Sequence, residues 1–274
     1  MSLSLVGFGG IALQDLALGE ASRLVSEAVD RGVNYFDSAP TYGDSENVLG
    51  PALAPYRDRV FLACKTDQRH RETAARQLEE SLRALRTDSI DLYQVHEVDT
   101  LAELETVFGP GGAMETFEAA QQAGKIRWIG FSSHIPAVAV EMLRRYPFVS
   151  ILFPFTYASW YRGFGPDVLA EAAARGVARL AIKSMVRAAW PEGADVKAKQ
   201  WWYQPAETWE EADLALRWAL SLDLTAAVTG GLPHLCRLAF DIGSRFTPLT
   251  PGEETRVRAL AGAANPLFPC AQFG

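Results

Sequence analysis

The chain is short of several things, and each shortage narrows what it can be. Its 274 residues include only three cysteines and four histidines. Cys64, Cys236 and Cys270 are far apart, odd in number and without CxxC spacing, so neither a disulfide framework nor a thiolate metal site is indicated. That usage suits a reducing cytoplasm, where the protein is expected. The histidines show no HExxH or comparable ligand spacing, and no metal is expected. Basic residues are outnumbered, 26 Lys and Arg against 33 Asp and Glu, for a formal charge of −7. A nucleic acid or an anionic membrane would call for a basic face, so neither is expected as a partner. No run approaches the ~18 apolar residues of a membrane span, and MSLSLVGFGG lacks the basic start and long apolar stretch of a signal peptide. No sequence repeat occurs at the periods of solenoids or propellers, and no break in composition marks a linker. A soluble protein is the default, and a monomer or weak homo-oligomer is expected.

What is present is apolar periodicity. Hydrophobic residues make up 49% of the chain, enough for a sizeable core. Leu3–Phe8 reads as a strand closing on Gly9-Gly10. A helix over Gly19–Arg31 follows, with Leu24, Val25, Ala28 and Val29 on one stripe. Val33 to Asp37 is a second strand, with a short helix over Glu46–Leu53. Arg59–Lys65, Ile90–His96, Lys125–Phe131, Phe148–Phe153, Ala178–Lys183 and Thr225–Thr229 are six more strands. Helices are expected over Glu72–Leu85, Met114–Ala123, from Pro136, Asp167–Arg175, Glu210–Leu222, Pro233–Ile242 and Pro251–Ala261, and the segment between His96 and Met114 reads as irregular. Eight strands alternating with eight helices, with Pro251–Ala261 as one more helix at the end, imply parallel pairing. In a chain near the ~250 residues typical of such domains, that means an α/β protein folded as a closed (β/α)8 TIM barrel. Residues 1–274 are expected to form one barrel domain, with a long loop at 184–206 over the mouth and an irregular tail.

In such a barrel the chemistry lies at the carboxyl ends of the strands, and the polar residues fall there. Asp37 ends the second strand within GVNYFDSAPTYGDSENVLG, with Tyr42 just beyond it; Lys65 ends the third and His96 the fourth. Taken singly, each has a plain structural alternative: a turn carboxylate, a packed phenol, a snorkelling lysine, a structural imidazole. Together they suit proton transfer. A free tyrosine has a pKa near ~10, a cation close by lowers it, and Lys65 can supply that cation. Asp37 can neutralise and orient Lys65, while His96 can hydrogen-bond a carbonyl oxygen. The set is suited to protonating an oxygen while something else delivers hydride to carbon, which implies a nicotinamide cofactor. Gly230 and Gly231, before a helix, can present backbone N–H groups to a diphosphate.

These motifs resemble the aldo-keto reductase superfamily: its Asp-x4-Tyr-Gly segment in DSAPTYGDSENVLG, its strand-three lysine in FLACK and its histidine in DLYQVH. The resemblance implies an Asp37, Tyr42, Lys65, His96 tetrad, with Tyr42 as general acid in reduction of an aldehyde or ketone by NADPH, NAD being an alternative cofactor. It also implies that Ser132 and Ser133, where the family commonly has Ser-Asn, hold the nicotinamide amide. Leu152 stands where the family has Gln. Lys183 is expected to meet a phosphate, and Arg237, with His234, to read a 2′-phosphate. The 184–206 loop, with Trp190, Trp201, Trp202 and Tyr203, is expected either to line an apolar substrate wall or to pack as a structural lid or oligomer contact. WWYQP resembles a subgroup of bacterial aldo-keto reductase-like proteins. Two other readings stand beside the reductase: a non-catalytic or regulatory nucleotide-binding barrel, and a lyase or isomerase using Lys65 as a Schiff-base nucleophile.

Overall fold

The computed structural model describes residues 2–195 and 201–269; Cys270 and the last four residues lie outside them. In chain order the elements begin with β1 (Val6–Gly9), α1 (Leu18–Asp30), β2 (Tyr35–Asp37), α2 (Ser45–Leu53), β3 (Phe61–Thr66), α3 (Arg71–Ala84) and β4 (Ile90–Val95). They continue with α4 (Leu101–Phe108), α5 (Ala113–Gln122), β5 (Ile126–Ser132), α6 (Pro136–Arg145), β6 (Ser150–Pro154), α7 (Tyr157–Trp160), α8 (Pro166–Ala174) and β7 (Ala178–Ile182). The last are β8 (Val186–Ala188), β9 (Gln204–Pro205), α9 (Trp209–Leu220), β10 (Ala226–Val228), α10 (Pro233–Ser244) and α11 (Pro251–Ala263). Eight of the strands, in the order β1, β2, β3, β4, β5, β6, β7, β10, close into a barrel through parallel pairing of every neighbour. The fold is the expected (β/α)8 barrel.

Strand alternation divides the apolar residues between two cores. One lies between the strands and the helices, where the α1 stripe buries Ala21, Leu24, Val25 and Ala28. The other fills the barrel with Tyr35, Ala63, Leu92, Leu152, Leu180, Ala226 and Val228. On β3 this parity turns Lys65 inward with Ala63, and turns Cys64 outward, where its thiol donates to Glu46 Oε1 at 3.1 Å.

Two segments differ from the sequence reading. The stretch after His96 is not irregular throughout, because Thr100 and Glu103 form a capping box that starts α4. The long connection after β7 contains an antiparallel pair, β8 with β9. No helix among the described residues is long and apolar enough to cross a membrane.

Candidate active site

The barrel mouth holds a cavity of about 300 Å³, at the small end for a ligand pocket. Asp37, Tyr42 and His96 line it, and Lys65 lies beneath them, fully buried. Parallel pairing brings these residues together: Asp37 is in register with Ala63, two residues before Lys65, and His96 follows β4, which pairs with β3. Lys65 forms an ion pair with Asp37 Oδ1 and donates to the Ser38 carbonyl at 2.9 Å. Its Nζ stands 4.9 Å from the centre of the Tyr42 ring, which meets the His96 ring edge-on at 6.0 Å.

The electrostatics follow from burial and partners. Burial works against the Lys65 ammonium, but Asp37 and Tyr42 outweigh it, and its pKa is raised. For Tyr42 the balance differs from the sequence expectation: burial pushes the phenol up by more than Lys65 pulls it down, and its pKa is raised. The phenol therefore keeps its proton at neutral pH, the form an acid needs. Burial, then Lys65, hold His96 well below the usual imidazole range, so it is neutral and able to donate one N–H. Its Nε2 is 3.7 Å from Glu97 Oε1 and its Nδ1 is 3.5 Å from Thr41 Oγ1.

The remaining expected residues divide. Ser132 lines the cavity, although its hydroxyl already accepts from the Glu97 amide at 2.8 Å. Ser133 is buried behind it, donating to Asp99 Oδ1 at 3.2 Å, and is not among the lining residues. Lys183 lines the cavity and reaches back across β6 to His134 Nε2 at 2.9 Å; His134 Nδ1 in turn lies 3.2 Å from Asp99 Oδ2. Burial drops Lys183 to about 8, against the pull of Glu97 and Asp99. Arg237 is on the outer face of α10, where it donates to Glu27 Oε2 of α1 at 2.8 Å; His234 is exposed nearby. Trp201 and Trp202 line the cavity with Tyr203, whereas Trp190 stands behind, its indole N–H donating to the Trp201 carbonyl at 3.0 Å.

Gly230 and Gly231 both reach the cavity, but in different ways. A Cβ at Gly230 would stand in ordinary contact, 3.6 Å from the Tyr203 hydroxyl, and would clash with nothing, and Gly230 lines the cavity. At Gly231 the space is taken by the Trp201 indole. The residues fit a nicotinamide cofactor at the inner end, where the ring would meet Tyr42, His96 and Ser132, whereas the indole must shift before a diphosphate could reach Gly231.

Sequence reasoning passed over five residues here. Glu97, Asp99 and His134 stand on loops whose side chains converge only in the fold. Tyr35 and Gln94 each donate to Asp37 Oδ2 at 3.2 Å. Their signal was available: Tyr35 precedes Asp37 by two residues on a strand and so shares its face, and Gln94 is a polar residue on the same inward face of β4 as Leu92. Among the described residues no cluster of three or more metal-ligating side chains occurs.

This barrel resembles solved structures along nearly its whole length. Aldo-keto reductase AKR11C1 from Bacillus halodurans, in its holo form, superposes with a TM-score of 0.73 at 27% identity, covering 96% of this chain and 94% of that one. An aldo/keto reductase from Klebsiella pneumoniae, in complex with NADP and acetate, gives 0.74 at 21% identity over 97% and 94%, a likeness of fold. Among curated sequences, aldo-keto reductase YhdN of Bacillus subtilis is 39% identical over 123 residues, 40% of this chain and 35% of that protein. The 6-dehydroglucose reductase of Novosphingobium aromaticivorans is 30% identical over 158 residues, 47% and 50%. L-galactose dehydrogenase of Arabidopsis thaliana is 30% identical over 165 residues, 54% and 50%. The chain spans about half the length of the curated relatives it matches. The profile of the aldo/keto reductase family matches residues 5–183, and with well over half its length matched, the chain belongs to that family.

Proposed function

We propose that this protein reduces an aldehyde or ketone to an alcohol, with Tyr42 donating the proton to the carbonyl oxygen and a nicotinamide cofactor, NADPH in the first instance, supplying hydride to carbon. The observation that carries the reading is the fully buried Lys65 ammonium, held by Asp37 and the Ser38 carbonyl under the face of the Tyr42 ring. In reduction, the protonated phenol is the acid, and the phenolate left behind is stabilised by the ammonium below it. Neutral His96 donates a hydrogen bond to the same oxygen as negative charge develops there. Ser132, Gly230 and Gly231 are the residues we assign to holding the cofactor. The same reading takes residues 1–274 as one barrel domain, with the described parts of the 184–206 strap as a cover and Trp201 and Trp202 as its substrate-facing wall.

Two relatives are named for sugars or their derivatives, and a polyhydroxylated carbonyl would suit a wall that mixes indoles with Glu97, His134 and Lys183. The test is carbonyl-dependent oxidation of NADPH and NADH across aldoses and simple aldehydes. Tyr42→Phe should cut kcat by about 10² to 10⁴, the range expected of a lost general acid; a rate unchanged in that variant rejects the role. Titration with both cofactors decides the 2′-phosphate preference, since Arg237 is engaged with Glu27. The second reading is a nucleotide-binding barrel without turnover, and cofactor binding with no turnover across the panel would select it.

A further inference from the structure

The barrel interior is apolar except at a few positions, and buried polar groups cost stability unless they are hydrogen-bonded. Tyr35 and Gln94 are two such groups, fully buried and turned inward beneath the tetrad. Both donate to one atom, Asp37 Oδ2, at 3.2 Å each, while the other oxygen of that carboxylate takes Lys65. Strand geometry accounts for the meeting: Tyr35 and Asp37 alternate onto the same face of β2, and Gln94 is the register partner of Lys65.

The interior makes room for these side chains. The Tyr35 ring lies where a side chain on Gly7 would stand. The Gln94 amide has one possible orientation, because turned over its oxygen would face a carboxylate. In that orientation its Oε1 finds no partner among the described residues, a cost that an isosteric apolar residue would avoid. A buried acceptor left unmade for the sake of one donated bond is a sign that the bond matters.

We infer that Tyr35 and Gln94 are positioning residues for the acid–base group: by holding the second oxygen of Asp37 they leave the Lys65 ammonium free to act on Tyr42. Asp37 and Lys65 act on the phenol with opposite sign, the carboxylate disfavouring phenolate and the ammonium favouring it. Two neutral donors on Oδ2 draw off part of the carboxylate's charge, so the balance at Tyr42 tips toward the ammonium. The other groups facing the phenol are Glu97, which disfavours phenolate, and the neutral His96 ring. Burial, then Asp37, keep Tyr35 itself well above the usual phenol range, so it stays a donor at every working pH. The consequence for rate rests on the reductase reading; the effect on the phenol does not.

The test titrates Tyr42 directly, by NMR of protein labelled with ¹³Cζ-tyrosine, the Tyr42 signal being the one missing in Tyr42→Phe. Gln94→Leu and Tyr35→Phe should each move that titration upward, by about one unit, which is tenfold in the ionised fraction. Alcohol oxidation, which draws on the phenolate, should fall about tenfold at fixed pH with KM unchanged, and the melting temperature of Gln94→Leu should hold or rise. Two chemically different variants guard against either failing to fold. A Tyr42 titration unmoved in both folded variants overturns the inference. A titration that moves in a protein without turnover upholds it and removes the reductase reading instead.

Discussion

Lys183 is the residue whose surroundings most exceed what its place in the chain implied. It and Glu97 are two of the four non-glycine residues with positive φ among those described, at 63° and 51°, and both line the cavity. Such backbone costs of order 1–3 kcal/mol and persists where its surroundings hold it, commonly at functional sites. The ammonium meets an imidazole nitrogen and the faces of Trp202 and Phe268, at 5.0 and 5.8 Å from their ring centres. Burial lowers its pKa from 10.5 to about 8. Between those values the unfolded chain holds a proton that the folded chain has released, so stability rises with pH across that window and the penalty is complete below it. Lys183→Met is therefore expected to be more stable than the parent at pH 7, by about 2 kcal/mol once solvent at this half-buried site is allowed for, with the gain fading by about pH 10. Urea denaturation at the two pH values checks this, and an equal or lower stability at pH 7 contradicts it.

At the scale of elements, α4 shows where periodicity misleads. Leu101, Leu104, Val107 and Phe108 span barely two turns, and only Leu104 and Val107 are buried, too short a stripe to separate from a loop by pattern. The start signal was nonetheless in the chain as Thr100-x-x-Glu103, and Glu103 is also held by Arg69 at 2.9 Å. Thr100→Ala should cost about 1 kcal/mol, measured by denaturant midpoint at unchanged slope; a change within error would mean that packing alone sets this helix. The β8 and β9 pair had no comparable signal. Its strands are three and two residues long and one contains Pro205, so neither propensity nor alternation can mark them, and their pairing is a tertiary contact. The barrel strands were legible because both of their faces are buried, so each reads as a short apolar run bounded by turn residues, a pattern that needs no knowledge of neighbours.

For the molecule as a whole, the strap and the barrel compete for one place. The Trp201 indole covers the Cα of Gly231, while the edge of Tyr203 meets the same indole with ring centres 5.9 Å apart. A dinucleotide that uses Gly231 has to displace this ring. Trp201→Ala should therefore bind NADPH or NADH with a faster association rate, by stopped-flow fluorescence of the remaining tryptophans; a slower rate would mean the ring is part of the seat and not its cover. Cofactor at about 100 times its dissociation constant should also raise the unfolding free energy by about 2.7 kcal/mol, a readout independent of turnover.

The candidate site was legible in part, and the division has a physical cause. Asp37, Tyr42, Lys65 and His96 could be read in order because each stands at or just past the end of a strand, and the barrel rule then sends all four to one mouth. The sequence by itself determined the alternation of strand and helix, the parity that turns Lys65 inward and Cys64 outward, and the end of the barrel that carries the chemistry, since these depend on local periodicity and chain direction. Only the tertiary structure decided that Arg237 faces Glu27, that Lys183 reaches across β6 to His134, that Gly231 accommodates an indole and that burial outweighs Lys65 at the Tyr42 phenol. Those outcomes are set by distances between segments far apart in the chain and by how much water remains between them, which a linear order of residues does not contain.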